Sequence, residues 1–277
     1  MSGAWRASRS AQYLLLALFT GFALLPLFWL FKVSITPDQL MYAEGVRLWP
    51  SQMTLQHYHD VLAKTDFPRF FVNSVIVSVS TALITTFIAS AAGYALSRFR
   101  FRGKGFIVAL MLLTQMFPLV MVVAPIFRIL SPLHLTNSLA GLIIVYCAFN
   151  VPFASFLMQT FFDGIPLELE EAAMLDGASR LHAALRIVMP LTVPGIAATL
   201  GFIFTAAWGE LLFALMLNSS ASASTFPVGL LSFVSKFSVD FGQMMAAGCL
   251  ALLPACAFFV FVQRYLVQGL TAGALKG

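Results

Sequence analysis

Six long apolar runs divide the chain: about Tyr13–Phe31, Phe70–Leu96, Phe106–Phe127, Ser138–Phe162, Val193–Leu217 and Met244–Val262. Each has at least about 19 residues, enough to cross a hydrocarbon core of roughly 30 Å at about 1.5 Å per residue. Inside lipid every backbone N–H and C=O must be bonded within the chain, which leaves helices or a closed barrel. No run alternates with the period of two that a barrel strand requires. The pattern therefore predicts an all-α membrane protein with six transmembrane helices. Arg6 and Arg9 precede the first run, as they would a signal peptide. That run is too long for a signal core, and Phe28-Trp29-Leu30-Phe31 stands where the small residues of a cleavage site belong. It is read as an uncleaved first span.

Residues 1–12 are then an N-terminal tail, 13–265 the six-helix domain with a long loop at 163–192, and 266–277 a C-terminal tail. Composition agrees. The 277 residues are 60% apolar and only 10% charged, against about 25% charged in soluble domains. A mean hydropathy of +0.91 excludes both a soluble surface and disorder.

Charge adds orientation. A formal net charge of +5 would suggest nucleic-acid binding in a soluble protein. In a membrane protein it is better explained by Lys and Arg retained on the cytoplasmic side, and no nucleic acid is expected. One side collects ten of the 16 basic residues: Arg6, Arg9, Arg98, Arg100, Arg102, Lys104, Arg180, Arg186, Arg264 and Lys276. The other collects six: Lys32, Arg47, Lys64, Arg69, Arg128 and Lys236. The short loop Ser97–Gly105 has four positives in nine residues and no acid. Both termini are expected to be cytoplasmic. The external segment Lys32–Arg69 is polar and broken by Pro37, Pro50 and Pro68. Within it Thr54–Leu62 has room for a short interfacial helix with Leu55, Tyr58 and Leu62 on one face.

Catalytic and metal motifs are missing from the pattern. Cys147, Cys249 and Cys256 make no CxxC, and His57, His59, His134 and His182 make no HExxH, so no metal site is expected. Arg102-Gly103-Lys104-Gly105 lacks the GxxxxGK and the following Ser/Thr of a phosphate loop.

The loop Asp163–Thr192 holds five of the eleven acids: Asp163, Glu168, Glu170, Glu171 and Asp176. It reads as two helical halves. Pro166 suits a helix N1 position, and the glutamates favour the positive end of the first helix. Gly177 can take the left-handed C-terminal position, and Ser179 can N-cap the second half. Leu181, Ala184, Leu185 and Val188 repeat at helical spacing, and Pro190 and Pro194 end the stretch. Such a helix–glycine–helix either seats its small Ala face in a soluble partner or only seals the bundle.

Glu171-Ala172-Ala173, three residues, Gly177, nine residues, Ile187, one residue, Met189 and Pro190 resemble the EAA-xxx-G-x9-I-x-L-P signature. That signature marks permease subunits of ATP-binding-cassette (ABC) importers; Met189 replaces its Leu, a swap of similar volume. Tyr94-Ala95-Leu96-Ser97-Arg98-Phe99, with Phe101-Arg102-Gly103, is similar to the second loop of the carbohydrate branch, as is Asn73-Ser74. The tail from Gln263 to Gly277 resembles that of maltose-type permeases. Trp208-Gly209-Glu210 resembles their Trp-Asn-Glu, with Gly in place of Asn.

The resemblance implies a type I ABC importer permease fold in a prokaryotic inner membrane, lodged in lipid. It implies a second permease as partner in a heterodimer, two ATPase subunits that carry ATP and Mg, an extracytoplasmic solute-binding protein and a sugar substrate. The chain itself would be non-catalytic and bind no cofactor. Glu170, Glu171, Ala172, Ala173, Met174, Asp176, Gly177, Ala178 and Pro190 would belong to the coupling region that meets an ATPase. Glu210 is the single acid within a predicted span, and such a group is a functional candidate or a helix-packing hydrogen bond. Gln115 and Asn150 are substrate-path candidates or interhelical bonds. Trp208, beside Gly209, stacks on a sugar or packs. Two other classes compete with this reading. A gradient-driven secondary transporter would need more intramembrane acids and Gly/Pro-broken helices in matching halves. A membrane-embedded enzyme would need a His/Asp/Glu cluster at one depth.

Overall fold

The structure is a computed structural model that describes residues 2–235 and 237–274. Lys236 and Lys276 of the charge balance, and the tail residues 275–277, lie outside the described residues. No β-strand forms among the described residues; one isolated antiparallel bridge joins Val234 and Val239. Among the described residues, four helices are long and apolar enough to cross a membrane whole: Ala11–Ser34 of α1 (Ser2–Ser34), α4 (Phe67–Arg98), α7 (Leu139–Asp163), and Phe241–Gln263 of α14 (Phe241–Ala274). Two bent pairs bring the total to six if each is one span.

The chain forms two units, and the first comprises Met1–Pro68 with Gly229–Leu253. The most apolar 18-residue window of the Ala11–Ser34 span contains no buried residue, consistent with lipid as its solvent, whereas Lys32 and Ser34 at its end are buried. Its end turns into α2 (Asp38–Ala43) and α3 (Gln56–Lys64). The expected interfacial helix thus begins two residues later than anticipated, where Thr54 Oγ1 accepts from Gln56 N at 3.0 Å. Its inward face also differs from expectation. Leu55 and Leu62 are exposed, while His57 and Val61 are buried, one turn apart. The reason is polar: His57 Nε2 donates to the Thr36 carbonyl at 3.0 Å, and Tyr58 OH shares a 2.7 Å hydrogen bond with Ser34. On the outer face Lys64, 2.8 Å from Asp60, holds that carboxyl down at about 2.

The second unit comprises Arg69–Val228 with Pro254–Gly277. Buried Asn73, Ser74, Ser78, Thr81, Thr85 and Ser90 line α4. Small polar residues let membrane helices approach closely. A Cβ on Gly93 would lie 2.7 Å from Met158 Cβ of α7. A core of Val77, Leu130, Leu142, Val145, Phe213 and Leu217 packs around Tyr146.

The third apolar run was expected as one helix and is two. It splits into α5 (Lys104–Met116) and α6 (Leu119–Leu130), bent by 104°. Pro118 has no N–H to donate and disfavours the helical region for the residue before it. Phe117 accordingly sits at φ −74°, ψ 130°. The fifth run also breaks: α11 (Val193–Trp208) ends at Gly209, and α12 (Leu212–Leu217) resumes three residues later. The chain therefore has helix breaks at Pro118 and at Gly209.

Candidate functional site

The 163–192 loop contains α8 (Glu168–Leu175), α9 (Arg180–Ala183), a π-helical turn (Ala184–Val188) and α10 (Met189–Leu191). Pro166 lies ahead of the N-cap, Leu167, and not at N1 as expected. The end of α8 follows the expected chemistry. Gly177 has φ +90°, Ala178 N donates to Ala173 O at 3.0 Å, and Gly177 N donates to Met174 O at 3.1 Å. These two bonds are the Schellman pair, which satisfies carbonyls that α8 would otherwise leave unpaired. Ser179 Oγ accepts from His182 N at 3.2 Å, the anticipated N-cap.

The second half does not present one apolar face. Ala183, Ala184 and Val188 are buried, whereas Leu181 and Leu185 are exposed. Pro190 cannot donate to the Arg186 carbonyl, and its ring crowds that carbonyl. The backbone widens into the π turn, with Met189 N bonded to Ala184 O. Leu185 lies within this turn and faces away from the buried side. The Arg180–Leu191 stretch then meets α11 at 70°.

Among the expected coupling residues, Glu171, Ala172, Asp176, Gly177 and Pro190 are exposed, and Ala173, Met174 and Ala178 are half-buried. Glu171, Ala172, Asp176 and Gly177 leave α8 and its end accessible together with Leu175, which is 89% exposed. Glu170 departs from the group. It is buried, with Arg98 Nε donating to its Oε1 at 2.5 Å and Tyr94 OH to its Oε2 at 2.7 Å. Arg98 Nη2 also donates to the Ile165 carbonyl at 2.9 Å. Removing one partner of a buried ion pair typically destabilises by about 3–5 kcal/mol. Lys104 Nζ donates to the Leu96 carbonyl, so a second basic residue of the 97–105 loop caps the end of α4.

The polar candidates within the spans converge. Gln115, Asn150 and Glu210 line one cavity of about 260 Å³ together with Thr114, Phe117 and Tyr146, next to both helix breaks. Gln115 Nε2 donates to the Phe149 carbonyl at 3.2 Å, and Asn150 Nδ2 to the Tyr146 carbonyl at 2.8 Å. Glu210 caps α12: its carboxylate accepts from Phe213 N at 3.0 Å and Ala214 N at 3.2 Å, and Tyr146 OH donates to it at 2.6 Å. Trp208 is buried in an aromatic cluster with Phe71, Phe204 and Phe226, at centroid distances of 5.7, 5.6 and 4.7 Å. It packs the core and does not line that cavity, and Gly209 marks the break. A larger cavity of about 470 Å³ between α11 and α14 is lined by Phe161, Phe202, Phe258 and Val262, and has little to offer a hydroxyl-rich ligand.

Sequence reasoning missed three residues. Tyr94 and Arg98 were visible only as a loop signature and a topogenic charge, although their i, i+4 spacing puts both on one face of α4. Tyr146 gave no signal, since its acid lies 64 positions away. Asn73, noted only for its resemblance, fixes the serine-rich turn after α12. Its Nδ2 donates to the Ser222 and Ser224 carbonyls at 3.0 and 2.8 Å.

For metal, Asp38, His57 and Asp240 bring ligand atoms within 4.8 Å of one another. His57 Nε2, however, faces a carbonyl, which can only accept. That nitrogen carries its proton and has no lone pair for an ion. Asp240 Oδ1 accepts from Gln243 N at 2.9 Å as the cap of α14.

Comparison with known proteins agrees with this geometry. The inner membrane ABC transporter permease protein YcjP of Escherichia coli is 37% identical over 272 residues, covering 98% of this chain and 97% of its own. The trehalose transport system permease protein SugB of Mycobacterium tuberculosis is 34% identical, covering 98% of this chain and 99% of its own. A crystal structure of a bacterial ABC transporter involved in import of the acidic polysaccharide alginate superposes with a TM-score of 0.77 at 25% identity, covering 96% of this chain and 99% of that one. The family described as binding-protein-dependent transport system inner membrane component matches residues 87–272. With broken spans, a glycine-cornered surface helix and relatives aligned almost end to end, the chain belongs to that family of inner-membrane transport components.

Proposed function

We propose that this chain is the permease subunit of a sugar ABC importer. It forms half of the path for a di- or oligosaccharide or related carbohydrate and couples it to ATP hydrolysis on a separate subunit. The observation that carries the reading is the accessible patch on α8, ended by Gly177 at positive φ. Small side chains there allow close approach by a cleft, and the left-handed corner sets the angle between α8 and α9. ATP with Mg belongs to two ATPase subunits. A second, different permease completes the path, and an extracytoplasmic binding protein delivers the sugar. The chain has no catalytic role of its own. The relatives' substrates, trehalose among them, support a sugar. Gln115 and Asn150 supply amides that neutral hydroxyls bind, beside the apolar ring faces of Phe117 and Phe149, while the Glu210 carboxylate in the same cavity is engaged by α12 and Tyr146.

Uptake by the assembled importer in membrane vesicles should follow ATP and survive a protonophore. Uptake that collapses with the proton gradient while ATP is present would favour the gradient-driven alternative. Orientation has its own test. With both termini cytoplasmic, a cytoplasmic reporter fused after Gly277 or at Lys104 should be active. An extracytoplasmic reporter active at Lys104 would reverse the topology.

A further inference from the structure

Glu170 sits in the middle of the coupling pattern, but its side chain is turned away from the accessible patch. It is 2% exposed, while its neighbours Glu171 and Ala172 face solvent. Both of its oxygens are engaged by the last turn of α4, through Arg98 and Tyr94. The same turn makes two more bonds: Arg98 to the Ile165 carbonyl, in the segment leading into α8, at 2.9 Å, and Ser97 Oγ to Asp163, the last residue of α7, at 2.5 Å. The Tyr94 ring packs edge-on against Phe162 at 5.6 Å. The second half of the loop meets the residue after α4 through Arg180, over the Phe99 ring at 5.1 Å.

These contacts change how a displacement of α8 would travel. Its covalent routes run through Gly164-Ile165-Pro166 to α7, and through the Gly177 corner and the bent α9–α10 stretch to α11. Both include a turn. The ion pair adds a third route, from the body of α8 straight to a continuous 32-residue helix. Charge-assisted hydrogen bonds in a buried site are short and directional, and they resist shear better than a turn does. We infer that Glu170, Arg98 and Tyr94 form a strut that makes α4 follow α8, so that Glu170 is a positioning residue and not an ATPase contact. The inference rests on the reading of α8 as the helix seated in the ATPase.

The test uses the whole importer, purified through a tag on this chain. Cys147, Cys249 and Cys256 are replaced by Ala, and spin labels are placed at Phe87 of α4 and Phe259 of α14. Distances are measured before and after trapping with ATP and vanadate. A photo-crosslinker at Leu175 reports contact between α8 and the ATPase. Without the strut substitutions, trapping should shift the label distance and Leu175 should capture the ATPase. Glu170→Gln and Arg98→Gln should keep the capture and the vanadate-trapped nucleotide but lose at least about half of the shift, as loss of a charged bond permits. Tyr94→Phe, which leaves the ion pair, should lose less. A full shift in the charge variants, or no shift before substitution, overturns the strut. If the charge variants do not assemble, Tyr94→Phe decides, and a full shift there overturns it as well. Failure of Leu175 to capture the ATPase before substitution instead overturns the seating of α8.

Discussion

Gly177→Val should reduce transport by at least about tenfold, because a β-branched residue at positive φ costs roughly 1–2 kcal/mol or more. The cause is confined to the backbone. A Cβ at Gly177 would meet nothing within 4 Å, so no packing is lost by adding one. The strain falls on φ, which is +90°. The chain can relieve it only by leaving the left-handed region, which breaks the bonds from Ala178 N to Ala173 O and from Gly177 N to Met174 O. The last turn of α8 then frays and α9 leaves at another angle. Ala172, Ala173 and Asp176 would no longer form one patch, while the apolar spans still insert. Gly177→Asn is the control, since Asn enters the left-handed region more readily than other side chains. It should keep most of the transport. ATP-driven uptake per inserted chain distinguishes the two variants, and normal uptake by Gly177→Val would remove the corner from the coupling route.

The features that can be read from sequence are those that depend on composition or on neighbours a few residues away. The spans come from hydropathy, the Gly177 corner and Ser179 cap from local backbone chemistry, and all three appear in the structure. The break at Phe117-Pro118 is also local, but a hydropathy run hides it, because apolarity says nothing about a missing N–H. The face of Leu185 departs from the sequence expectation because a 3.6-residue period does not describe the π turn that holds it. The opposite roles of Glu170 and Glu171 were out of reach. They are adjacent acids in one motif, and only Arg98, 72 positions away, distinguishes them. The same holds for Trp208, whose ring partners come from α4, α11 and the start of α13 (Phe226–Leu231).

Glu210→Ala should lower the yield and thermal stability of the assembled complex more than it lowers transport by the copies that assemble. The carboxylate is already in use within the chain. It accepts from Phe213 N at 3.0 Å, from Ala214 N at 3.2 Å and from Tyr146 OH at 2.6 Å. Alanine would leave these donors unpaired in the membrane interior, where each costs about 1–3 kcal/mol and loss of a helix N-cap alone costs about 0.5–2 kcal/mol. The damage would spread, because α12 carries Phe213, Ala214 and Leu217 into the core beside Val77, Leu130 and Leu142. Glu210→Gln keeps one carbonyl oxygen as acceptor and should fall between the parent and Glu210→Ala. Tyr146→Phe removes a single donor and should be milder. A substrate role predicts the reverse order of effects: full yield and stability, with transport per complex reduced by about tenfold or more as one charged hydrogen bond to sugar is lost. Transport normalised to assembled complex, read beside the melting temperature, separates the two. The occupied carboxylate makes the cap the expected result, leaving Gln115 and Asn150 as the groups in that cavity with hydrogen-bonding capacity to spare for a sugar.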